Sequence, residues 1–329
     1  MRTPALFVRG ALAATLLTLL SGVQAQAQSA DPAEAYPTRS IRLIVPFAPG
    51  ATTDFLARQL GESANRDWGQ PVVVDNRAGA GGLIGTDLIA KAAPDGYTIG
   101  LLTGALATYP VLNAKLPFDS VKDFEFISMI ASVPNVLVVT AAYPAKTFKD
   151  FVARAKADPG QGYASSGTGT NTHFTGEMLK LATGIDIQHV AYKGGAPAMA
   201  DLIAGHVKIM IASLTTAVPQ IRAGKIRALA VSSASRSDAV PDVPTFKELG
   251  YPDLVTAEWW ALIGPKGMPK IAVSKWRDEA RKLAGRADIK EKSPGIVMLS
   301  STPEELADTV EREIGTWKDI AAKAKIALE

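Results

Sequence analysis

Ile41-Arg42-Leu43-Ile44-Val45-Pro46-Phe47-Ala48-Pro49-Gly50-Ala51-Thr52-Thr53-Asp54 sets the architecture. A β-branched run, a Pro- and Gly-closed loop and then an amphipathic stretch through Phe55, Leu56, Gln59 and Leu60 read as strand, loop, helix. The unit recurs downstream. Pro71 to Val74, Leu83 to Lys91 and Tyr97 to Leu102 give strand, helix and strand, the last following a Pro94-Asp95-Gly96 turn. Such alternation predicts an α/β fold with a parallel sheet covered by helices.

A second run keeps the same rhythm. It comprises a strand over Val136 to Val139, a helix from Thr147 to Ala157, a strand over Gly162 to Ser165 and a helix starting near Thr172. Strands at Ile187 to Tyr192, Ile209 to Ala212 and Arg227 to Ser232 follow, with a helix over Ala196 to Ala204. The tail is loop-rich and then helical, over Ile271 to Leu283 and Pro303 to Ala327. With too few strands for its own sheet, the tail is expected to return to the first unit. The reading is a two-lobed chain in which each lobe is a mixed, mostly parallel sheet flanked by helices. Lobe 1 is 36–132 plus 233–329, lobe 2 is 133–232, and crossovers near Ile130 to Asn135 and Val231 to Arg236 form a hinge.

Before this lies an export address. Arg2 and Arg9 precede an apolar Ala11 to Leu20, and Val23-Gln24-Ala25-Gln26-Ala27 offers the small residues of a cleavage site, so residues 1–27 read as a cleaved signal peptide. Ten helical residues rise only about 15 Å, too short to span a bilayer. With no Cys there is no lipid attachment at the cleavage site, no disulfide framework and no thiol nucleophile. The expected location is the periplasm.

Composition excludes further classes. The chain is 47% hydrophobic and 20% charged, enough apolar content for a large core. Two of the charges behind its net +3 are Arg2 and Arg9, so the processed chain is close to neutral, and no basic stripe suggests nucleic acid. His173, His189 and His206 lack any His-x-x-x-His spacing, so no metal site is expected, and no cofactor motif is convincing. Gly79-Ala80-Gly81-Gly82-Leu83-Ile84-Gly85 misses the dinucleotide fingerprint by one position.

Open α/β sheets bind ligands beyond their strand ends, where helix-start N–H groups favour anions. One candidate cradle is Phe47 to Asp54, and the other is Ser165-Ser166-Gly167-Thr168-Gly169-Thr170-Asn171-Thr172-His173, one in each lobe. Both combine glycines with hydroxyls able to donate to a carboxylate. Asp54 reads as a cap, His173 as either a ligand donor or a structural one, and Lys193 as a cation near the cleft. Trp259 and Trp260 are adjacent on a strand, so only one of them can wall a cleft. A rival is an exported serine hydrolase using Ser166 with His173 and Asp186 or Asp201, though Ser166 lacks the G-x-S-x-G frame.

Val45-Pro46-Phe47-Ala48-Pro49-Gly50 with Thr53-Asp54, Asp75 to Gly82, Tyr163 to Gly169 with His173, Tyr192-Lys193-Gly194, Arg227 to Val231 and Pro241 to Thr245 occur in order. Together they resemble the Bug-type solute-binding proteins of tripartite tricarboxylate transporters. The resemblance implies a two-lobed periplasmic binding protein of the type II kind, a non-enzymatic monomer that hands its ligand to a two-subunit integral membrane transporter. Sensing for a two-component system is an alternative role. It also implies contacts from Phe47, Gly50, Thr52 and Thr53 in one lobe and from Ser166, Gly167, Gly169, Thr170 and His173 in the other. Ile211-Ala212-Ser213 lacks the acid common in such proteins, which favours a di- or tricarboxylate or an aromatic acid over an amino acid.

Overall fold

The computed structural model describes residues 36–112 and 115–324. The expected signal peptide and the last residues of the expected terminal helix lie outside them.

The first half carries β1 (Ile41–Val45), α1 (Thr52–Trp68), β2 (Val72–Asn76), α2 (Leu83–Ala90), β3 (Thr98–Thr103) and α3 (Ala105–Leu112). β4 (Phe124–Thr140) leads into α4 (Phe148–Ala157), β5 (Gln161–Ser165), α5 (Asn171–Thr183), β6 (Ile187–Ala191), α6 (Gly195–Ala204), β7 (Ile209–Ser213), α7 (Leu214–Arg222) and β8 (Ile226–Val231). β9 (Ala257–Pro265), α8 (Lys270–Ala284), α9 (Ala287–Lys292), β10 (Val297–Met298) and α10 (Pro303–Ala324) complete the chain.

The strands follow the order β2-β1-β3-β9-β4-β7-β5-β6, with β8 and β10 also on β4. Among the described strands, parallel pairing joins β1 to β2 and β3 and β5 to β6 and β7, and everything touching β4 or β9 is antiparallel. The antiparallel share therefore exceeds what the strand–helix rhythm suggests, because these two strands tie distant parts of the chain together.

β4 is the spine. Its first half pairs β9 and β10, and its second half, from Asn135, pairs β7 and β8. The sequence reading placed a strand only over Val136 to Val139 and a crossover loop before it. Phe124, Phe126, Ile127, Ile130, Ala131 and Val133 are buried, so both strand faces are apolar and the period-two signal vanishes. Pro134, which has no N–H to give, sits where the partner strands change.

Two cores result. One gathers Ile44, Leu102, Tyr109, Phe124, Trp259, Leu306, Val310 and Trp317, with α10 packed on α3. The other gathers Leu137, Phe148, Phe151, Tyr163, Ile187, Ile209 and Leu229. Phe246 and Leu254 join the second core, although the sequence reading assigned them to the first lobe. The Phe246 N–H donates to the Val231 carbonyl at 2.9 Å, holding 233–256 beside β8.

Ser232 knots the crossings. The Asn135 N–H donates to its Oγ at 2.7 Å, its N–H donates to the Asn135 carbonyl at 2.8 Å, and its Oγ donates to the Thr256 carbonyl at 2.6 Å. The chain thus re-enters the first half at Thr256, beside the point where β4 left it.

Candidate ligand-binding cleft

β1 is almost wholly buried and delivers the Pro46–Ala51 loop to the sheet's carboxyl edge. Ala51 holds the cap position of α1 in extended conformation and has no side-chain acceptor to offer. The first-turn N–H groups are left without a side-chain cap. Asp54 turns back to accept from the Gly50 N–H at 3.1 Å and pairs with Arg58 at 2.9 Å. Burial pushes the Asp54 carboxyl up, but Arg58 and the Gly50 amide outweigh it and hold it below the usual range.

α6 and α7 begin in the same way from the second half. Gly194 and Ser213 hold their cap positions without a side-chain hydrogen bond. The three starts face one cavity of about 20 Å³, room for little more than a water molecule. It is lined by Phe47, Ala51, Thr52, Thr53, Ser166, Gly195, Ser213, Thr216, Glu258 and Trp260. Aligned N–H dipoles concentrate positive potential here, and the hydroxyls supply adjustable donors.

The two halves meet around this cavity. Thr52 Oγ1 lies 2.6 Å from Thr215 Oγ1 and 3.3 Å from Thr216 Oγ1. The Ala48 N–H donates to the Lys193 carbonyl at 3.0 Å, and the Thr108 hydroxyl donates to the Gly169 carbonyl. A methyl group on Gly81 would fall 1.7 Å from the Thr168 carbonyl oxygen, so backbone presses on backbone. A guest larger than water requires these contacts to part first.

Of the residues expected to bind, Phe47, Thr52, Thr53 and Ser166 line the cavity. Thr53 Oγ1 accepts from the Trp260 indole at 2.8 Å, while no hydrogen bond engages Ser166 Oγ among the described residues. Gly167, Gly169, Thr170 and His173 do not line the cavity, and Gly50 lines instead an adjoining hollow of about 400 Å³ that shares Ala51, Thr52 and Thr216. The Thr170 hydroxyl donates to the Gly167 carbonyl at 2.7 Å and caps α5 by accepting from the His173 N–H. His173 Nδ1 accepts from the Gly169 N–H at 3.2 Å, and its ring stacks on His189 with centroids 3.9 Å apart. Burial drives His173 down to about 4; burial and then the neighbouring His173 drive His189 to about 3. Both rings are neutral at pH 7, and His173 serves as an acceptor for the loop.

Gly195, Ser213, Thr216 and Glu258 were not among the expected contacts, whereas Ala51 lies inside the first expected cradle. Lys193 had been singled out beside Gly195, yet its side chain is exposed and only its carbonyl joins the seam. The adjacent tryptophans split as strand alternation requires: Trp260 faces the cavity and Trp259 the first core. A larger hollow, about 660 Å³, opens between 233–239 and 290–297, away from these strand ends.

The hydrolase arrangement does not assemble. His173 is committed to Gly169, Asp186 accepts from Gln188, and Asp201 binds Tyr192 and His206. Among the described residues no His, Asp and Glu cluster is arranged to hold a metal ion, and no helix is long and apolar enough to cross a membrane.

Residues 56–296 match the family described as the tripartite tricarboxylate transporter family receptor. The chain belongs to that receptor family. BugT of Bordetella pertussis is 39% identical over 303 residues, spanning 89% of this chain and 93% of its own. The periplasmic binding protein BugD superposes with a TM-score of 0.86 at 34% identity, covering 89% of this chain and all of that one (100%). R. palustris Rpa4515, solved with adipate, gives 0.85 at 35% identity, with 89% and 100% covered. This receptor is therefore a two-lobed periplasmic binding protein rather than an enzyme, of a family whose members serve membrane transporters as receptors.

Proposed function

We propose that this receptor captures a small organic carboxylate, a di- or tricarboxylate or an aromatic acid, between its lobes and delivers it to a two-subunit integral membrane transporter. It acts in the periplasm as a monomer, after removal of residues 1–27. Its first lobe is 36–132 with the chain from about Ala257 onward, and its second is 133–256, extended past 232 by the packing of Phe246 and Leu254.

One observation carries the reading: helix starts without side-chain caps, from both halves, converge on one hydroxyl-lined cavity. Unpaired N–H groups and hydroxyls are donors, and a carboxylate supplies only acceptors, so the match is chemical as well as electrostatic. The adipate held by Rpa4515 supports the dicarboxylate members of this class.

A thermal-shift panel of organic acids tests it, followed by calorimetric titration of the best ligand. A true guest at a hundredfold its dissociation constant adds about 2.7 kcal/mol to stability. A panel in which citrate, C4 to C6 dicarboxylates and aromatic acids all leave the melting temperature unmoved overturns the reading.

A further inference from the structure

Glu258 is the one acid that lines the cavity. It is 5% exposed, and among the described residues its carboxyl has no hydrogen-bond or ion-pair partner. Strand alternation fixes its direction, since Glu258 and Trp260 share the cavity face of β9 while Trp259 turns away to donate to Glu313 at 2.9 Å. β9 is clasped between β3 and β4, with Val133 opposite Glu258, so the carboxyl stands on rigid scaffold rather than on a loop.

An unpartnered carboxyl this deeply buried is costly unless something else completes it. The cavity's other features are donors: the starts of α1, α6 and α7 and the surrounding hydroxyls. They suit one carboxylate of a guest. Glu258 stands among them as a group of different chemistry.

Building on the carboxylate reading above, we propose that Glu258 is a specificity-determining residue that reads the guest's second acceptor, donating one hydrogen bond to it as a neutral acid. A dicarboxylate is then held at both ends, one by helix starts and one by the protonated carboxyl.

The surroundings favour the neutral form. Burial with no charged neighbour pushes Glu258 up to about 7. The residues facing it, Thr52 and Thr53 on α1, Ser166, Gly195 on α6, and Ser213 and Thr216 at α7, carry no titratable group; Val133 faces it from β4. Asp54, also on α1, is engaged by Arg58 and the Gly50 amide. Two carboxylates within hydrogen-bond distance do not both stay ionised, so a dianion binds without proton exchange below the pKa of free Glu258 and with uptake of one proton above it. Affinity is flat below the pKa of free Glu258 and falls about tenfold per pH unit well above it.

The test is calorimetry of adipate and of hexanoate, its singly charged analogue, from pH 6 to 9, on wild type, Glu258→Gln and Glu258→Leu. Wild type should bind adipate with the tenfold-per-unit loss above about pH 7.5. Glu258→Gln, which keeps a donor, should hold the pH 6 affinity within about threefold and flatten the profile, whereas Glu258→Leu should lose about tenfold for adipate and nothing for hexanoate. Melting curves establish that each variant is folded. Adipate binding indifferent to pH, or equal in wild type and Glu258→Leu, overturns this proposal and leaves the carboxylate reading standing. So does preference for aspartate or glutamate that strengthens with pH and vanishes in Glu258→Gln, which marks an ionised Glu258 pairing with an ammonium group. Failure of every acid to bind wild type overturns both.

Discussion

The loops before α1 and α5 look interchangeable as sequence, each a glycine- and threonine-rich connection from a buried strand to a helix. Their structures differ in a single register. In the first, the cap position is Ala51, and the threonines fall one and two places later, inside the helix and against the cavity. In the second, Thr170 is the cap, so its hydroxyl closes the helix start on itself and leaves α5 little to offer an anion. Hydroxyls near a helix start are ligand donors or caps according to which one occupies the cap position. The second loop instead became a latch, with Thr168 on Gly81, Gly169 on Thr108, and His173 buttressing from beneath.

The largest separation between the loops should come from acid. His173 and His189 lie under the latch with depressed pKa values, about 4 and about 3. Between an unfolded value near 6.5 and those values, the unfolded chain binds protons that the folded chain refuses. Stability conferred by the neutral rings is full above pH 6.5 and drains as pH falls, on the order of 3 kcal/mol for each ring by pH 4.5. Glu258 opposes this, because a carboxyl pushed up to about 7 loses stability as pH rises from 4.5. Melting curves of Glu258→Gln from pH 7.5 to 4.5 should therefore fall more steeply than wild type, and His189→Gln should flatten them. A pH-independent melting temperature in Glu258→Gln would remove the buried pair from the account.

Next in size is the latch itself. Gly81→Ala places a methyl group within 1.7 Å of the Thr168 carbonyl, and backbone cannot yield as a side-chain tip can. Closure should fail, with a loss of about a hundredfold or more in affinity, some 2.7 kcal/mol. The positive φ of 61° adds only a modest local cost. X-ray scattering should show the variant remaining open with saturating adipate. Wild-type affinity would mean that the guest is held without the seam.

The sequence disclosed much of this and hid the rest for identifiable reasons. β1, β3 and β5 each run into a glycine- or proline-bearing loop, so the α/β architecture and both loops were legible from Ile41 and Gly162 onward. The first half of β4 was not, because burial of both faces erases alternation. Glu258 was missed because an acid beside Trp259 and Trp260 reads as the solvent side of a half-buried strand; only its pairing with Val133 of β4 and its burial against the cavity show that this side is not wet. Ser213 and Thr216 were hidden because their strand end carries no glycine, and the uncapped start of α7 becomes a donor site only once the fold turns it to the cavity. The cap register was hidden as well: Asp54 reads as the cap in the sequence, whereas Ala51 holds that position and Asp54 lies inside the first turn, accepting from Gly50 and Arg58.

The smallest effects are the most discriminating. Ser166 and Thr170 sit four residues apart in one loop, yet only Ser166 lines the cavity, with its hydroxyl unengaged among the described residues. Ser166→Ala should weaken binding by about 1 kcal/mol, roughly fivefold, with the melting temperature unchanged. Thr170→Ala should do the reverse. Loss of the cap and of its bond to Gly167 costs about 1 kcal/mol of stability, while affinity should stay near wild type because the hydroxyl does not line the cavity. If both variants lose affinity alike, the second loop contacts the ligand along its length and the division between cradle and latch is wrong. If neither does, binding rests on the α1 side together with the starts of α6 and α7, and the comparison sharpens further: the second lobe then contributes through Gly195 and Thr216, two residues at strand ends outside the loop that the sequence reading chose as that lobe's cradle.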